Sequence, residues 1–350
     1  MSHFVAFGEI MARLATPGFK RFQQAMPGSL DVTFAGAEAN IVASLAYLGA
    51  DASFVTALPE HALADACVAN LRSIGVDTRH ILRTPPGRLG LFFLETGANQ
   101  RSGNVIYDRE NASVAITPAS AYDWSAIFDG AEWFIISGIT PAISRNAADV
   151  TIAALREASA RGVKIACDLN YRSKLWHWDP PHTPRELATR VMREVMPFVD
   201  LFIGGREDAE QMLGIQNPAA SVAEIARQIV AQFPRIQRVA MTLRDGISAT
   251  HNNFGGMLFE AALDEAFFAP HDGELYAMTD IVDRLGGGDA FTAGLLFALT
   301  TSALSEPQTA ISFAAAAGCL AHSIEGDFNY CTRSEIESLV SGDASGRVKR

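Results

Sequence analysis

From Trp124 onward, short apolar segments alternate with segments of helical pattern, and this alternation restricts the possible folds more than any other feature of the chain. The predicted strands are residues 133–137, 163–168, 201–203 and 238–243. The predicted helices are residues 144–160, 185–199, 207–213 and 222–232. Apolar strands separated by helices are typical of a parallel sheet covered on both faces. We therefore predict an α/β fold whose ligands bind beyond the carboxyl ends of the strands.

The first third of the chain adds strands of a different kind. Residues 4–7 and 52–58 read as buried strands, and residues 41–48 and 61–74 as helices that end at glycines. Residues 9–34 hold two prolines and two turn glycines among separated apolar residues, which predicts edge strands outside the main sheet. We predict one domain over residues 1–340, a small β-sheet lid from about 9–35 and 88–115, and a loose polar tail at 341–350.

Charge and composition exclude several classes of function. The 350-residue chain has a net charge of −11 and no cluster of Lys and Arg, so a nucleic-acid partner is not expected. No apolar run approaches the roughly 20 residues that span a bilayer, and the N-terminus lacks the pattern of a signal peptide. The four cysteines are far apart and without metal spacing, which favours core thiols. We expect a cytoplasmic protein without a membrane partner.

A glycine-rich stretch at residues 283–289 carries the strongest chemical signal. Gly286, Gly287 and Gly288 precede Asp289, and an apolar run then reaches Leu299. Glycines let a backbone approach a ligand closely, and the first N–H groups of a helix have no internal partner, so such a loop binds anions. Asp289 beside it is suited to accepting a proton, and the pair suits phosphoryl transfer. The alternative is a plain capping turn with Asp289 as a stabilising first-turn acid.

Several polar residues near predicted strand ends are candidates for a substrate site. Arg109 and Arg172 can clamp a carboxylate, because the planar guanidinium matches it with two parallel hydrogen bonds. The alternative for either is a solvent-exposed arginine. Glu9 either points to the sugar hydroxyls or is a plain acid in a turn. For Glu38 and Asn40 the alternative is that they are simply polar residues at a helix N-terminus.

Five stretches together resemble the PfkB, or ribokinase-like, sugar kinases, and within them the 2-keto-3-deoxygluconate kinases. The matching stretches are Phe7-Gly-Glu-Ile10, Gly36-Ala-Glu-Ala-Asn40, Val105-Ile-Tyr-Asp-Arg109, Asp168-Leu-Asn-Tyr-Arg172 and Asp283-Arg-Leu-Gly-Gly-Gly-Asp289. They occur in the family's order and span nearly the whole chain. The resemblance implies a ribokinase-like α/β core with a β lid, a nucleotide-binding part at about 200–330, and ATP-dependent phosphorylation with Mg²⁺. It leaves open a monovalent cation.

The resemblance also implies roles for particular residues. For catalysis it implies Asp289 as the base, the anion hole Gly286, Gly287 and Gly288, and Arg172 between substrate and phosphates. For the substrate it implies Gly36, Asn40, Tyr107, Arg109, Arg172 and Asp289. For the nucleotide it implies Asn170, Thr242, Arg244, Gly246, Asp283, Gly286 and Gly288.

The chain departs from the family pattern at two sites. Where these kinases carry Asn-x-x-Glu, this chain has Gly205 and Arg206, so Glu207 and Asp208 are left to hold Mg²⁺ through water. In the predicted nucleotide loop at 242–246, Arg244 stands where the family more often has glycine.

Three functions follow as hypotheses. The first is an ATP-dependent kinase of the 6-hydroxyl of 2-keto-3-deoxygluconate or a close sugar acid. The second is a kinase of a neutral sugar such as fructose or ribose, or of a nucleoside. The third is a sugar- or nucleotide-binding regulator without catalysis. We also expect a homodimer through the lid, because open sheet edges are usually covered.

Overall fold

The computed structural model describes residues 2–215, 219–270 and 274–343. The end of the predicted tail, residues 344–350, lies outside these ranges. The strands are β1 (His3–Phe7), β2 (Met11–Ala15), β3 (Asp31–Ala35), β4 (Asp51–Leu58), β5 (Ile81–Arg83), β6 (Gly90–Glu95), β7 (Asn104–Asp108), β8 (Trp133–Ser137), β9 (Lys164–Asp168), β10 (Leu201–Ile203), β11 (Arg238–Gly246), β12 (Asn252–Glu260), β13 (Glu265–Ala269) and β14 (Tyr276–Met278).

The helices are α1 (Phe22–Ala25), α2 (Ala37–Tyr47), α3 (Ala62–Ile74), α4 (Ser113–Ile116), α5 (Trp124–Ile127), α6 (Thr140–Ile143), α7 (Arg145–Ala160), α8 (Pro184–Val195), α9 (Arg206–Asp208), α10 (Val222–Gln232), α11 (Gly287–Thr300), α12 (Pro307–Ala321) and α13 (Arg333–Val340).

The main sheet has ten strands in the order β13-β12-β11-β10-β9-β8-β1-β4-β5, with β14 paired to β12. In this sheet, the neighbouring strands β5, β4, β1, β8, β9, β10 and β11 are mutually parallel, and β12, β13 and β14 pair in the antiparallel sense. The mostly parallel sheet covered by helices is therefore confirmed. Since parallel strands end at one edge, the residues that follow β1, β8, β9 and β10 come together there.

Each face of this sheet has its own hydrophobic core. In β1, Phe4 and Ala6 belong to one core, whereas Val5 and Phe7 belong to the other. Successive side chains of a strand point to opposite faces, so burial of both faces requires an unbroken apolar strand. The first core includes residues of α2, α3, α11, α12 and α13, and the second includes residues of α4, α5, α7, α8 and α10.

Helix α11 is buried along nearly its whole length, from Gly287 to Ala298. It packs closely on α12, because a β-carbon added at Gly294 would lie 2.9 Å from Cβ of Ala317. An apolar helix with no solvated face is held by contacts on every side. The start of α11 is consequently a firmly fixed point in the molecule.

The lid is a separate four-stranded sheet with the order β3-β2-β6-β7, and its strands fall within the two predicted ranges. Its inner face includes Met11, Phe92 and Tyr107, which pack together. The last lid strand ends at Asp108, and Val114 beyond it belongs to the second core of the main domain.

One secondary-structure prediction is wrong. The predicted nucleotide loop at 242–246 is strand, because the β11–β12 pairing continues as far as Gly246 opposite Asn252. The predicted helix at 207–213 is confirmed as helical, and it consists of the short α9 followed by a π-helical turn at Ala209–Leu213.

The cysteine prediction agrees with the structure. Cys67, Cys167 and Cys331 are buried, Cys319 is half-buried, and all four are free thiols. Within the described ranges, no helix combines the length and the apolar character needed to cross a bilayer.

Candidate active site

A cavity of about 630 Å³ lies between the lid and the edge of the main sheet where the parallel strands end. Most of the predicted site residues line it: Gly36, Asn40, Tyr107, Arg109, Asn170, Arg172, Glu207, Asp208, Thr242, Arg244, Gly286, Gly288 and Asp289. The structure thus brings together residues from both ends of the chain.

Asp289 lies in the first turn of α11, only 8% exposed, at the wall of this cavity. Its Oδ2 accepts a hydrogen bond of 2.6 Å from Nδ2 of Asn40, and Oδ1 of Asn40 accepts from the N–H of Gly36 at 3.1 Å. The Asn40 amide therefore links the starts of α2 and α11 and orients the carboxyl group. This contact gives Asn40 a role that its sequence context did not indicate.

Burial raises the pKa of Asp289 from its usual value near 3.8 to about 7. The hydrogen bond from Asn40 and the charge of Arg172 act in the opposite direction, while Asp327 and Glu38 raise the pKa further. A carboxylate with a pKa near neutrality is matched to general-base catalysis.

The glycine loop exposes backbone amides beside this carboxyl group. Gly286 has a left-handed φ of 79°, and the first helical bond of α11 runs from the N–H of Ala290 to the carbonyl of Gly286. The N–H groups of Gly287, Gly288 and Asp289 precede that bond, so they have no acceptor within the helix. Their partial positive charge suits an anion at the cavity wall.

Gly286 cannot be replaced without movement of the loop. A β-carbon there would lie 2.1 Å from the carbonyl oxygen of Asp327, in addition to the strain of a positive φ. We expect Gly286→Ala to lower the free energy of unfolding by about 2 kcal/mol or more and kcat by about 10²-fold. Thermal denaturation and steady-state kinetics measure both.

Gly130→Ala is the matched control for this substitution. Gly130 has a similar φ of 70°, but a β-carbon there meets nothing within 4 Å. Gly130→Ala should lower the free energy of unfolding by about 1 kcal/mol through backbone strain and leave kcat unchanged. Equal effects of the two substitutions on kcat would contradict a special role for the loop.

At the lid end, Arg109 forms an ion pair with Glu9 through Nη2, and the two side chains are 9% and 3% exposed. The guanidinium carbon lies 5.4 Å from the ring centroid of Tyr107. Burial raises the pKa of Glu9, although the charge and hydrogen bond of Arg109 oppose that effect. Glu9 is therefore not a plain turn acid, and it is not among the residues that line the cavity.

At the opposite end, three arginines face the cavity from different segments: Arg172, Arg244 and Arg284. Arg244 lies with its guanidinium over the ring of Phe254 and next to Gly288. Among the described residues none of the three forms an ion pair with a carboxylate. Burial is the largest cause of a lowered pKa of Arg244, and the positive charges of Arg284 and Arg172 lower it further. A cluster of cations of this kind fits a polyanionic ligand.

Carboxyl groups also meet near this end. Both oxygens of Asp208 already accept backbone hydrogen bonds, from Tyr171 at 2.9 Å and Gly205 at 2.7 Å. Glu207 lines the cavity beside it. The pKa of Asp168 is raised well above its usual value by burial and then by the charges of Asp289 and Asp208.

Three predicted nucleotide or anion residues are not among those that line the cavity. Asp283 is buried and forms an ion pair with Arg13. Gly246 is at the far end of β11, and the α-carbon of Gly287 faces the ring of His322.

The open alternatives for Glu38 are also resolved. Its Oε1 accepts hydrogen bonds from the N–H and hydroxyl of Ser137 and from the hydroxyl of Thr140. Glu38 therefore anchors the segment after β8 from within the core and is more than a polar residue at a helix start.

The chain is similar in sequence and in structure to known proteins. The sequence model of the family described as pfkB family carbohydrate kinase matches residues 1–331. The 2-dehydro-3-deoxygalactonokinase of Haloferax volcanii is 31% identical over 346 residues, which cover 99% of this chain and 98% of that protein. The crystal structure of 2-dehydro-3-deoxygluconokinase from Thermotoga maritima is 40% identical with a TM-score of 0.90, and the match covers 98% of this chain and 99% of that one.

A more distant structure shares the fold. The crystal structure of a putative ribokinase II from E. coli in complex with ATP and Mg²⁺ has a TM-score of 0.78 at 21% identity, over 97% of this chain and 99% of that one.

Proposed function

Because this chain belongs to the pfkB family of carbohydrate kinases, we propose that it transfers the γ-phosphoryl group of ATP to the 6-hydroxyl of 2-keto-3-deoxygluconate or a closely related sugar acid. As a member of this family the chain is an enzyme, a phosphotransferase with an alcohol group as acceptor. The hypothesis of a regulator without catalysis is therefore rejected. The observation that supports a sugar acid as the acceptor is the Arg109 side chain, 9% exposed, at the lid end of the cavity.

The lid end suits an acidic and partly apolar acceptor. Arg109 and the hydroxyl of Tyr107 can bind a carboxylate, whereas Met11 and Phe92 offer an apolar wall for carbon atoms that bear no hydroxyl. A neutral sugar would be better served by carboxylate and amide side chains that share hydroxyl protons. Relatives named for a gluconate and for a galactonate acid both support this class of acceptor.

The donor would lie at the other end of the cavity. The triphosphate of ATP would meet Arg172, Arg244 and Arg284, and its terminal phosphoryl group would meet the free amides at the start of α11. Asp289 would take the proton of the acceptor hydroxyl as the new O–P bond forms, and ADP would leave with the electrons of the bond that breaks. Asn40 keeps the carboxylate aimed at the acceptor.

The residues at the proposed triphosphate end of the cavity fit a magnesium ion that keeps most of its water. Within the described ranges no three His, Cys, Asp or Glu side chains converge as a metal site, and Mg²⁺ in kinases is held chiefly by phosphate oxygens and water. The repulsion among Asp168, Asp208 and Asp289 favours a cation nearby. Glu207 and Asp208 would hold the ion through water, and the ion would neutralise charge on the phosphates.

A substrate screen tests the proposal directly. Coupled ATP turnover should appear with 2-keto-3-deoxygluconate and 2-keto-3-deoxygalactonate, and kcat/KM should be lower by at least about 10²-fold with fructose and ribose, since the carboxylate contact is absent. Preference for a neutral sugar would replace this proposal by its alternative. Omitting potassium from the same assays would show whether the reaction needs a monovalent cation.

The pH dependence of kcat provides a second test. Because Asp289 must be ionised to act and its pKa is about 7, kcat should fall about tenfold per pH unit below that pH. The charged groups that act on it include Asp327, Glu38, Arg172, Asp168 and Arg244. Rates at saturating ATP and sugar acid between pH 5.5 and 8.5 measure this limb, and a flat profile over that range would argue against Asp289 as the base.

We propose in addition that two lids pair in a homodimer. The outer face of the lid exposes Val32 and Ile106, with relative accessibilities of 59% and 49%, and the lid's edge strands β3 and β7 have no further partner in the described residues. Exposed apolar strands at a sheet edge favour association. Sedimentation at micromolar concentration tests this, and a monomer there would contradict it.

A further inference from the structure

Arg13 is a buried cation that no part of the proposed chemistry requires directly. It lies on lid strand β2 and is 3% exposed. Its Nη2 forms an ion pair with Asp283, and its Nη1 forms another with Oδ1 of Asp327 at 2.6 Å. The guanidinium thus bridges two carboxylates from segments that lie far apart in the sequence.

Each of these carboxylates belongs to a segment that shapes the glycine loop. Asp283 accepts hydrogen bonds from the N–H of Leu285 at 3.1 Å and of Gly326 at 3.2 Å. The carbonyl oxygen of Asp327 lies against the α-carbon of Gly286, where a β-carbon would approach it to 2.1 Å. Through two contacts, Arg13 therefore fixes both the loop and the segment that supports it.

The same contacts affect the charges around the base. Burial raises the pKa of Asp327 to about 6, and the charge of Arg13 opposes this. Asp327 in turn raises the pKa of Asp289. Burial alone would lower the pKa of Arg13, but the two carboxylates outweigh it, so Arg13 stays charged.

We propose that Arg13 is a positioning residue for phosphoryl transfer, which holds the glycine loop in the conformation that presents its amides to the moving phosphoryl group. The inference rests on the kinase function proposed above. Arg13 does not line the cavity of the active site, so it acts through Asp283 and Asp327. Strand β2 also pairs with β6, the neighbour of the strand that carries Tyr107, which joins the acid-binding lid to the loop.

The position of Arg13 makes chemical rescue feasible. Arg13 and Asp283 line a second cavity of about 640 Å³, which shares no lining residue with the active-site cavity. In Arg13→Ala, methylguanidinium from solvent can enter this cavity and bridge the two carboxylates. We expect Arg13→Ala to lower kcat by about 10²-fold with both KM values within about threefold, and methylguanidinium to restore at least about tenfold.

Two further variants keep the test decisive if Arg13→Ala does not fold, since removal of one partner from a buried ion pair costs about 3–5 kcal/mol. Arg13→Lys keeps the charge and loses the planar fork that spans both carboxylates. It should fold and still show at least about a tenfold loss of kcat. The double variant Arg13→Met with Asp283→Asn removes one charge of each sign and should retain the fold.

The acid limb of the pH–kcat profile separates positioning from a purely structural role. In the double variant, Asp327 loses its cation, so its pKa rises and it is less ionised near pH 7. Its repulsion of Asp289 is then weaker, and the limb should move to lower pH, whereas Arg13→Lys should leave it in place. Arg227→Ala, which removes an exposed ion pair with Asp264, is the control and should match wild type.

The outcomes distinguish this inference from the proposed function. A wild-type enzyme without turnover of any sugar acid would remove the proposed function. Wild-type turnover together with normal kcat in Arg13→Lys and in the double variant would overturn the role of Arg13 alone. Reduced kcat, unchanged KM values and rescue by methylguanidinium would support it.

Discussion

Asp289→Asn is expected to lower kcat by about two to four orders of magnitude while ATP still binds. Asparagine preserves the shape of the side chain and the contact with Asn40, but it cannot accept the proton of the acceptor hydroxyl. The loss should appear in kcat, with the KM values changed only slightly, because the base acts in the transition state. Coupled kinetics measure the loss of kcat, and calorimetric titration with ATP measures nucleotide binding.

The stability of this variant provides its internal control. The pKa of Asp289 is raised in the folded protein, so its contribution to stability is present below about pH 4 and is lost as the pH rises through about 7. At pH 8 the charged carboxylate is a cost, and Asp289→Asn should stabilise the protein by roughly 2–4 kcal/mol. Asp51→Asn, at the exposed start of β4, should change neither quantity. Near-normal turnover of Asp289→Asn would remove Asp289 as the base.

Arg109→Ala is expected to lower kcat/KM for the sugar acid by about 30- to 1000-fold, mainly through KM. Removing one partner of a buried charge pair with a ligand costs about 2–4 kcal/mol, and each 1.4 kcal/mol is a factor of ten. Turnover of a neutral sugar should change far less, since it has no carboxylate for Arg109 to bind. Kinetics with both kinds of acceptor measure the difference.

The ion pair with Glu9 complicates this substitution and suggests the appropriate control. Without Arg109, Glu9 is a buried carboxylate without its partner. The double variant Arg109→Ala with Glu9→Gln removes that charge, and it should regain stability while the KM for the acid stays high. Arg88→Ala breaks an exposed ion pair with Asp108 on the same lid and should have little effect. If KM for the acid is unchanged in both Arg109 variants, there is no carboxylate clamp at this position.

The fold was predictable because the main sheet is buried on both faces. Burial of both faces forces strands such as 133–137 and 201–203 to be continuously apolar, and that pattern is visible without a structure. The sequence does not predict the β12–β14 hairpins, and it predicts a loop where residues 242–246 form strand. The polar residues 244–246 look like a turn, and only pairing with β12 makes them strand.

The site was predictable where a short motif holds the chemistry and not where partners come from distant segments. The glycine loop and Asp289 stand next to each other in the sequence. The contacts of Asn40 with Asp289, of Glu9 with Arg109 and of Arg13 with Asp283 span 249, 100 and 270 positions. Charge balance inside a folded core decides such pairings, and a single sequence carries no local signal for them.

The close packing of α11 on α12 gives different roles to the phosphoryl-binding end of the enzyme and to its lid. A helix packed through Gly294 on Ala317 offers the phosphoryl group a platform that does not adapt. Adaptation to a new acceptor would then have to come from the four short strands of the lid, the last of which carries Tyr107 and ends just before Arg109. Exchanging a few side chains there would retune selectivity while the reactive centre stays intact, a modular route by which one kinase scaffold can diversify.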